Sequence, residues 1–390
     1  MIAIIRNKMI KKKLLCLSVL ICLGCLYPAD AVAAPHLNSQ YYCVVDRETG
    51  QPLLGKNSDV RRPMASTTKI MTAILAVEYA GLDEMAEVSK YADRTPEYTI
   101  GLRAGQQLQV GELLKVALIR SSNDAAVVLA EHVAGNEQFF AYLMSKKACV
   151  IGAMHTRFQN SSGLPDEAHF STALDLAQIS RYALSKPYIA QIVGTAETDF
   201  KHPGYQQPLT IRNTNAGLLN GYSGADGVKT GTANEAGKCL IASATRQDRS
   251  LIAVVLKSSD RQGDCIKLLD YGFLNTTRQK IIDHETAFKS LKVNNGEEAW
   301  AQIVPAQDLW LWVGEKTANI EKIVRLNYNL DAPLKKRQTI GEIDIYIDGG
   351  YVNSVALVSQ RDIKRQSWFG QRIIKHLMES GARNRSNLNE

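Results

Sequence analysis

The chain has 390 residues, enough for two domains. Its 45% hydrophobic and 7% aromatic residues are those of a globular protein and exclude a disordered one. The formal net charge of +7 gathers at the two ends: residues 1–33 carry five cations against Asp30, and residues 360–390 carry seven against three acids, so the body between is close to neutral. A nucleic-acid-binding protein carries its basic patch on the folded body, and no nucleic-acid partner is expected.

The N-terminus reads as an export signal. Arg6, Lys8 and Lys11 to Lys13 precede the apolar run Leu14 to Leu26, and Ala31-Val32-Ala33-Ala34 suits cleavage after Ala33. The run of about 13 residues is short for a membrane span. Met9 offers an alternative start. Leu23-Gly24-Cys25 offers a competing lipoprotein reading, although Cys22 stands where such signals usually carry leucine. Cleavage leaves Cys43, Cys149, Cys239 and Cys265, whose spacing has no paired or metal-ligand pattern. The histidines form no H-E-x-x-H, so a metallopeptidase is not expected.

Tyr41 to Asp46 reads as a strand, with Glu48-Thr49-Gly50 as the turn of a hairpin. Ser66 to Tyr79 has the apolar spacing of a buried helix. Further helices are expected over Val110 to Arg120, Ala125 to Ala134, Glu137 to Ile151 and Ala173 to Leu184, the last capped by Ser171 or Thr172. Strand patterns return at Lys238 to Thr245 and Ser250 to Lys257, and this order argues for an α/β fold with a mainly antiparallel sheet. Beyond Leu274 to Gln279 come short strand-like runs at Trp300 to Val304, Leu309 to Val313, Ile323 to Tyr328, Ile343 to Ile347 and Val352 to Val358. Gly, Pro and Asn turns separate them, as in a small all-β domain. At the C-terminus, a helical wheel places Ile363, Phe369, Ile373, Ile374, Leu377 and Met378 on one side. Arg361, Lys364, Arg365, Arg372, Lys375 and His376 fall on the other, with Trp368 among them. Such a basic amphipathic helix lies in a membrane interface; the alternative is a terminal helix packed on the β-domain.

Three short motifs stand in order: Ser66-Thr67-Thr68-Lys69, Ser121-Ser122-Asn123 and Lys229-Thr230-Gly231, the last followed by Thr232. Residues three apart share a helix face, so Ser66 and Lys69 can meet. Taken singly, S-x-x-K is common and Ser66 reads as a helix N-cap. Ser121 and Asn123 equally suit capping of the next helix. The ordered triple is far more specific.

In these motifs the chain resembles the serine-type D-alanyl-D-alanine carboxypeptidases, which are low-molecular-mass penicillin-binding proteins. The likeness extends to Pro63-Met64-Ala65, Asp124-Ala125-Ala126, Asn160-Ser161-Ser162-Gly163-Leu164 and Asp226-Gly227-Val228, and spans residues 40 to 360. It implies a β-lactamase/transpeptidase-like catalytic domain at 34–278, with helices flanking an antiparallel sheet. A signal peptide at 1–33 precedes it; a β-sandwich domain at 279–359 and an anchoring tail at 360–390 follow. The expected activity is removal of the terminal D-alanine from peptidoglycan stem pentapeptides at the outer face of the cytoplasmic membrane. Acylation by β-lactam antibiotics is expected, and no cofactor, metal or obligate protein partner.

A serine hydroxyl needs an adjacent base, and Lys69 serves if burial and a second cation, Lys229, remove its charge near neutral pH. Ser121 can relay a proton, and Asn123 can hold Lys69 and the substrate amide. By resemblance, the N–H groups of Ser66 and Thr232 bind the oxyanion, with the hydroxyls of Thr230 and Thr232 lining the site. The substrate carboxylate requires a cation, and by resemblance Arg261 stands where the family places it, with Arg246 and Arg249 as alternatives. Two rival functions are a β-lactamase and an inactive cell-wall-binding scaffold. The first lacks a Glu-Pro-x-Leu-Asn-like stretch after the second motif, Glu167 standing in a different context; the second is opposed by the intact motifs.

Overall fold

The computed structural model describes residues 34–314, 319–347 and 349–367. The expected signal segment and the wheel from Trp368 to Met378 lie outside the described residues. The chain opens with the hairpin β1 (Tyr41–Asp46) and β2 (Pro52–Lys56). A helical region follows, interrupted by two short hairpins: β3 (Met85–Glu87) with β4 (Gln107–Gln109), and β5 (Glu197–Phe200) with β6 (Leu209–Arg212). Then come β7 (Ala225–Ala233), β8 (Gly237–Arg246) and β9 (Arg249–Ser258). Five of these strands form one antiparallel sheet in the order β2-β1-β9-β8-β7, so the Lys229-Thr230-Gly231 strand is an edge.

Strands β8 and β9 are almost wholly apolar through their centres, Ser243 excepted, because both of their faces are covered. Cys239, Ile241, Ile252, Val254 and Leu256 pack under the helical region. Leu240, Ala242, Leu251, Ala253 and Val255 alternate with them and meet Cys265, Leu268 and Leu269 of the Arg261–Leu274 helix. Period-two alternation thus fixes which residues face each layer. The free thiols of Cys43, Cys239 and Cys265 are buried and that of Cys149 is exposed, so the three buried ones act as small core residues.

The helices form near the expected places: Lys69–Tyr79, Asn123–Ala134, Glu137–Val150 and Ala173–Leu184. Thr172 caps the last, its hydroxyl accepting from the Asp175 N–H at 3.0 Å. The helix starting at Val110 widens into a π-turn over Val116–Arg120 and ends at Ser121 in the left-handed region, φ 69°. π-turns concentrate at functional sites, and this one delivers the second motif.

The C-terminal part is all β: β10 (Thr276–Ile282), β11 (Lys289–Asn294), β12 (Trp300–Pro305), β13 (Leu309–Gly314), β14 (Ile320–Leu326), β15 (Leu330–Asp331), β16 (Thr339–Ile347) and β17 (Gly350–Ser359). A six-stranded sheet in the order β14-β16-β17-β12-β11-β15 shares a core with the β10–β13 pair. Gln51 ties this domain to the sheet, exchanging two hydrogen bonds with the main chain of Trp312 at 2.6 and 2.9 Å. On its surface Asp283, His284 and Asp308 converge as a potential metal-ligand group. Lys280 pairs with both carboxylates there, at 3.2 and 3.0 Å.

Two expectations need correction. The strand β10 pairs with β13 from Thr276 onward, so a boundary at 278/279 would cut a strand; the division falls at Asn275, where the preceding helix ends. The tail does not begin at residue 360. Ile363 exchanges main-chain hydrogen bonds with Leu334, both 2.9 Å, and is 1% exposed in the β-domain core. Arg365 bridges Gly296. Of the residues on the wheel, the described ones, Arg361, Ile363, Lys364 and Arg365, are not helical, because main-chain pairing and the burial of Ile363 hold them in the domain.

Candidate active site

Ser66 lies in a 3₁₀ turn, Ala65–Thr68, leading into the Lys69–Tyr79 helix. It is not a helix cap, since neither helix start has a side-chain capping bond. The Thr67 hydroxyl donates back to the Met64 carbonyl at 2.7 Å, and that of Thr68 to the Ala65 carbonyl at 2.8 Å. Such back-bonding tightens the turn. Ala65 sits at φ +49°, where non-glycine residues are uncommon. Gly163 and Gly231 press on this turn. A Cβ on Gly163 would overlap the Ala65 carbonyl, and one on Gly231 would lie 2.8 Å from the Met64 carbonyl and 3.1 Å from the Ser66 nitrogen. The glycine of the third motif is therefore required for β7 to approach the serine.

One helical turn on, Lys69 is 0% exposed. Its Nζ lies 3.0 Å from Ser66 Oγ, 2.6 Å from Asn123 Oδ1 and 2.7 Å from the Ser162 carbonyl. The Asn123 amide is oriented by its other end, where Nδ2 donates to the carbonyls of Pro96 and Glu97 at 3.3 and 3.2 Å. Burial, and then the Lys229 charge, push the Lys69 amine well below its ordinary 10.5, against the opposing pull of Asp124 and Glu137.

The second motif brings Asn123 to Lys69 as the first residue of its helix. Ser121 is 7% exposed, and no hydrogen bond holds its hydroxyl among the described residues. The capping role for Ser121 and Asn123 is not adopted: the N-cap position belongs to Ser122, whose hydroxyl bonds Asp124 instead.

Lys229 is 1% exposed, and its one acceptor among the described residues is the Thr230 carbonyl at 3.1 Å. Burial, then the nearby Arg261, lower its pKa to about 7. The Thr230 hydroxyl bonds Thr214 Oγ1 at 2.7 Å, while Thr232 is exposed. Arg261 reaches this strand, its guanidinium 3.0 Å from the Gly231 carbonyl, 3.0 Å from Thr232 Oγ1 and 3.3 Å from the Cys239 carbonyl. The two other arginines are committed elsewhere. Arg246 stacks on Tyr222 and Phe273 and bonds Asp270. Arg249 lies 3.5 Å over the Trp312 ring and donates to Gly272 and Thr276. A cleft of about 1430 Å³ surrounds those two, with Arg47, Arg181, Trp310 and Trp312 on its walls. It lies at the opposite end of the sheet, and no residue of the three motifs lines it. The motif residues offer amines, hydroxyls and an amide, a donor set that suits an anion and repels a metal cation.

A hydroxyl against a buried amine, beside a second lysine on a sheet edge and an arginine that reaches that edge from a helix, suits a serine hydrolase acting on an anionic substrate. Comparison with known proteins makes this specific. The D-alanyl-D-alanine carboxypeptidase family model matches residues 29–260, and that of the penicillin-binding protein 5 C-terminal domain matches residues 277–365. The chain is 31% identical to D-alanyl-D-alanine carboxypeptidase DacF of Bacillus subtilis over 332 residues, 83% of this chain and 85% of that one. It is 30% identical to DacC of Escherichia coli, with 88% of each covered. Of solved structures it resembles penicillin-binding protein 5 of Haemophilus influenzae at TM-score 0.69 and 28% identity, covering 86% of this chain and 100% of that one. The chain belongs to the D-alanyl-D-alanine carboxypeptidase family.

Some residues that shape the site were not singled out from sequence. The Ser162 carbonyl faces Lys69 because Asn160 Oδ1 gathers the N–H groups of Ser162, Gly163 and Leu164 at 3.2, 2.7 and 3.2 Å. The run Asn-Ser-Ser-Gly signals a turn, but not which carbonyl it aims. Asp124 accepts from the N–H groups of Ile100, Gly101 and Leu102, and Glu137 from the N–H and hydroxyl of Ser161.

Lys229 sets a testable pH dependence. Its folded pKa is lowered, so between about pH 7 and 10.5 the unfolded chain binds more protons and stability rises with pH. Lys229→Met removes that contribution. Its stability should exceed that of wild type most at and below about pH 7, by an effect on the order of a few kcal/mol, and the gap in Tm should close toward pH 10.5. Thermal melts with the same gap at every pH would contradict the assignment.

Proposed function

We propose that this carboxypeptidase removes the terminal D-alanine of peptidoglycan stem peptides through an acyl-enzyme on Ser66, with Lys69 as the general base. The acceptor arrangement around Lys69 is the observation that supports it. Carbonyl and amide oxygens only accept hydrogen bonds. A neutral Lys69 amine has two hydrogens, which go to Asn123 Oδ1 and the Ser162 carbonyl, so its lone pair is left facing the Ser66 hydroxyl. When Ser66 Oγ attacks the carbonyl between the two D-alanines, its proton passes to that lone pair. The resulting ammonium has three hydrogens for the same three oxygens. The cage thus satisfies the amine before and after transfer, which holds reorganisation small.

The oxyanion of the tetrahedral intermediate is taken by the N–H groups of Ser66 and Thr232. On its collapse the C–N bond breaks, and the D-alanine nitrogen recovers a proton from Lys69 through the Ser121 hydroxyl. Lys229, with a single acceptor among the described residues, has donors left for the substrate. Arg261, beside the Thr232 hydroxyl and near Thr230 and Gly231, meets the substrate carboxylate by a charge-assisted hydrogen bond. Water then cleaves the Ser66 ester and releases the shortened peptide. A β-lactam ring presents a strained amide in the same position and acylates Ser66.

A labelled-penicillin gel run beside a D-alanine-release assay tests this. Wild type should hold its label, whereas a β-lactamase would lose it quickly and a scaffold would never take it. Ser66→Ala should lose both label and release; a labelled, folded Ser66→Ala enzyme would sink the mechanism. Arg261→Ala should lose roughly tenfold or more on free-carboxylate peptides, as expected for a hydrogen bond between charged groups, and much less on amidated ones. Equal loss on both would remove Arg261 from carboxylate binding.

We further propose that the enzyme is exported by residues 1–33 and rests on the membrane through residues 368–390, where Phe369, Ile373, Ile374, Leu377 and Met378 alternate with Arg372, Lys375 and His376 at helical spacing. No described helix is long and apolar enough to cross a membrane. Deleting residues 368–390 should send active enzyme into the soluble fraction. Continued sedimentation of that truncated enzyme with membranes would contradict the tail as anchor.

A further inference from the structure

We propose that His169, outside all three motifs, is a positioning residue that sets the nucleophile turn through the Thr68 hydroxyl. The inference rests on Ser66 being the nucleophile. His169 is 4% exposed. Its Nδ1 accepts the main-chain N–H of Gln159 at 3.0 Å. Its Nε2 lies 2.8 Å from Thr68 Oγ1, and Thr68 Oγ1 is 2.8 Å from the Ala65 carbonyl.

The direction of each bond follows from what each group can do. A main-chain N–H only donates, so Nδ1 must accept, and the hydrogen of a neutral ring is on Nε2. That hydrogen points at Thr68 Oγ1, whose own hydrogen is then directed to the Ala65 carbonyl. A single chain of donors therefore runs from Gln159 through the ring and Thr68 to Ala65, the residue before the nucleophile. An imidazolium would set a second N–H against that of Gln159, so the chain requires the neutral ring. Burial lowers the His169 pKa to about 4, in keeping with this. The His169 and Phe158 rings meet at 85° with centroids 5.6 Å apart, a contact that holds the imidazole plane.

What the chain holds is a conformation the backbone would otherwise leave. Ala65 is a non-glycine residue at positive φ, a state that persists where the surroundings over-determine it. Relaxation of Ala65 would move both the Ser66 hydroxyl relative to Lys69 and the Ser66 N–H relative to the oxyanion. Gly163 and Gly231 supply the room for the turn, and the His169–Thr68 chain pins it.

The test measures penicillin acylation rate, kcat and KM for D-alanine release, and thermal melting for His169→Ala, His169→Gln, Thr68→Val and the His169→Ala/Thr68→Val double variant. Ser66→Ala is run in the same gel. His169→Ala and Thr68→Val should each lower acylation and kcat roughly 10–100-fold, the scale of a slightly misplaced reacting group, with KM little changed. The double variant should be no slower than the slower single variant, because both break one chain. His169→Gln, whose amide can donate to Thr68 and accept from Gln159, should recover most of the rate. Acylation near the wild-type rate in folded His169→Ala or Thr68→Val overturns the proposal. Additive loss in the double variant, or no recovery in His169→Gln, also does so. If His169→Ala fails to fold, the near-isosteric Thr68→Val decides the matter alone. Retained label in Ser66→Ala would instead remove the nucleophile reading on which the proposal stands.

Discussion

A lysine amine held among three oxygens, with no carboxylate in contact among the described residues, is the constraint on which this molecule depends. Lys69 is wholly buried, and a buried ammonium without a paired anion is costly. Asp124 and Glu137 are close enough to act on its charge, but each is committed to other groups, Asp124 to the 100–102 loop and Glu137 to Ser161. The second buried lysine, Lys229, adds a like charge. The amine is therefore driven toward its neutral form, and its three neighbours decide where the lone pair points. The general-base role proposed for Lys69 rests on placing a lysine where it cannot comfortably stay charged.

The three oxygens come from three separate segments: the Ser66 turn, the start of the Asn123–Ala134 helix and the Asn160–Leu164 loop. Each is fixed by its own local bonds. The loop is held from several sides, by the Asn160 side chain, by Glu137, and by the Thr72 hydroxyl, which donates to the Ser161 carbonyl at 2.5 Å. The helix is placed by the turn at Ser121 and by the Asn123 N–H, which donates to the Tyr98 carbonyl at 3.0 Å. The sheet then contributes β7 as an edge, which leaves one side of that strand open beside Lys229. The apolar layers on both faces of β8 and β9 keep that edge in register with the serine.

Local patterns were legible where local physics decides. Tyr41–Asp46 and Ala173–Leu184 form over the residues their periodicity marks, and the apolar runs of β8 and β9 mark buried strands. The three motifs mark the residues that converge around Ser66. What was not legible depends on tertiary context. The Ser162 contribution is a main-chain carbonyl and has no residue signature. The resemblance favours Arg261 over Arg246 and Arg249, but which guanidinium reaches Gly231 and which are spent on Trp312 and Asp270 is a matter of tertiary contact. The strand β10, TTRQKII, is largely exposed and polar, so its alternation is too weak to read, and the domain boundary slipped into it. Ile363 suits a helical wheel as well as it suits a core, and the pairing with Leu334 is what decides.

The most direct measurement is an NMR titration of isotopically labelled lysine, with the Lys69 signal assigned by its loss in Lys69→Arg, set beside the pH dependence of penicillin acylation. The account expects Lys69 to titrate well below 10.5. It also expects acylation to rise as pH rises through that same value, because the neutral amine is the base. A Lys69 that titrates near 10.5, or an acylation rate that stays flat while Lys69 loses its proton, would contradict it.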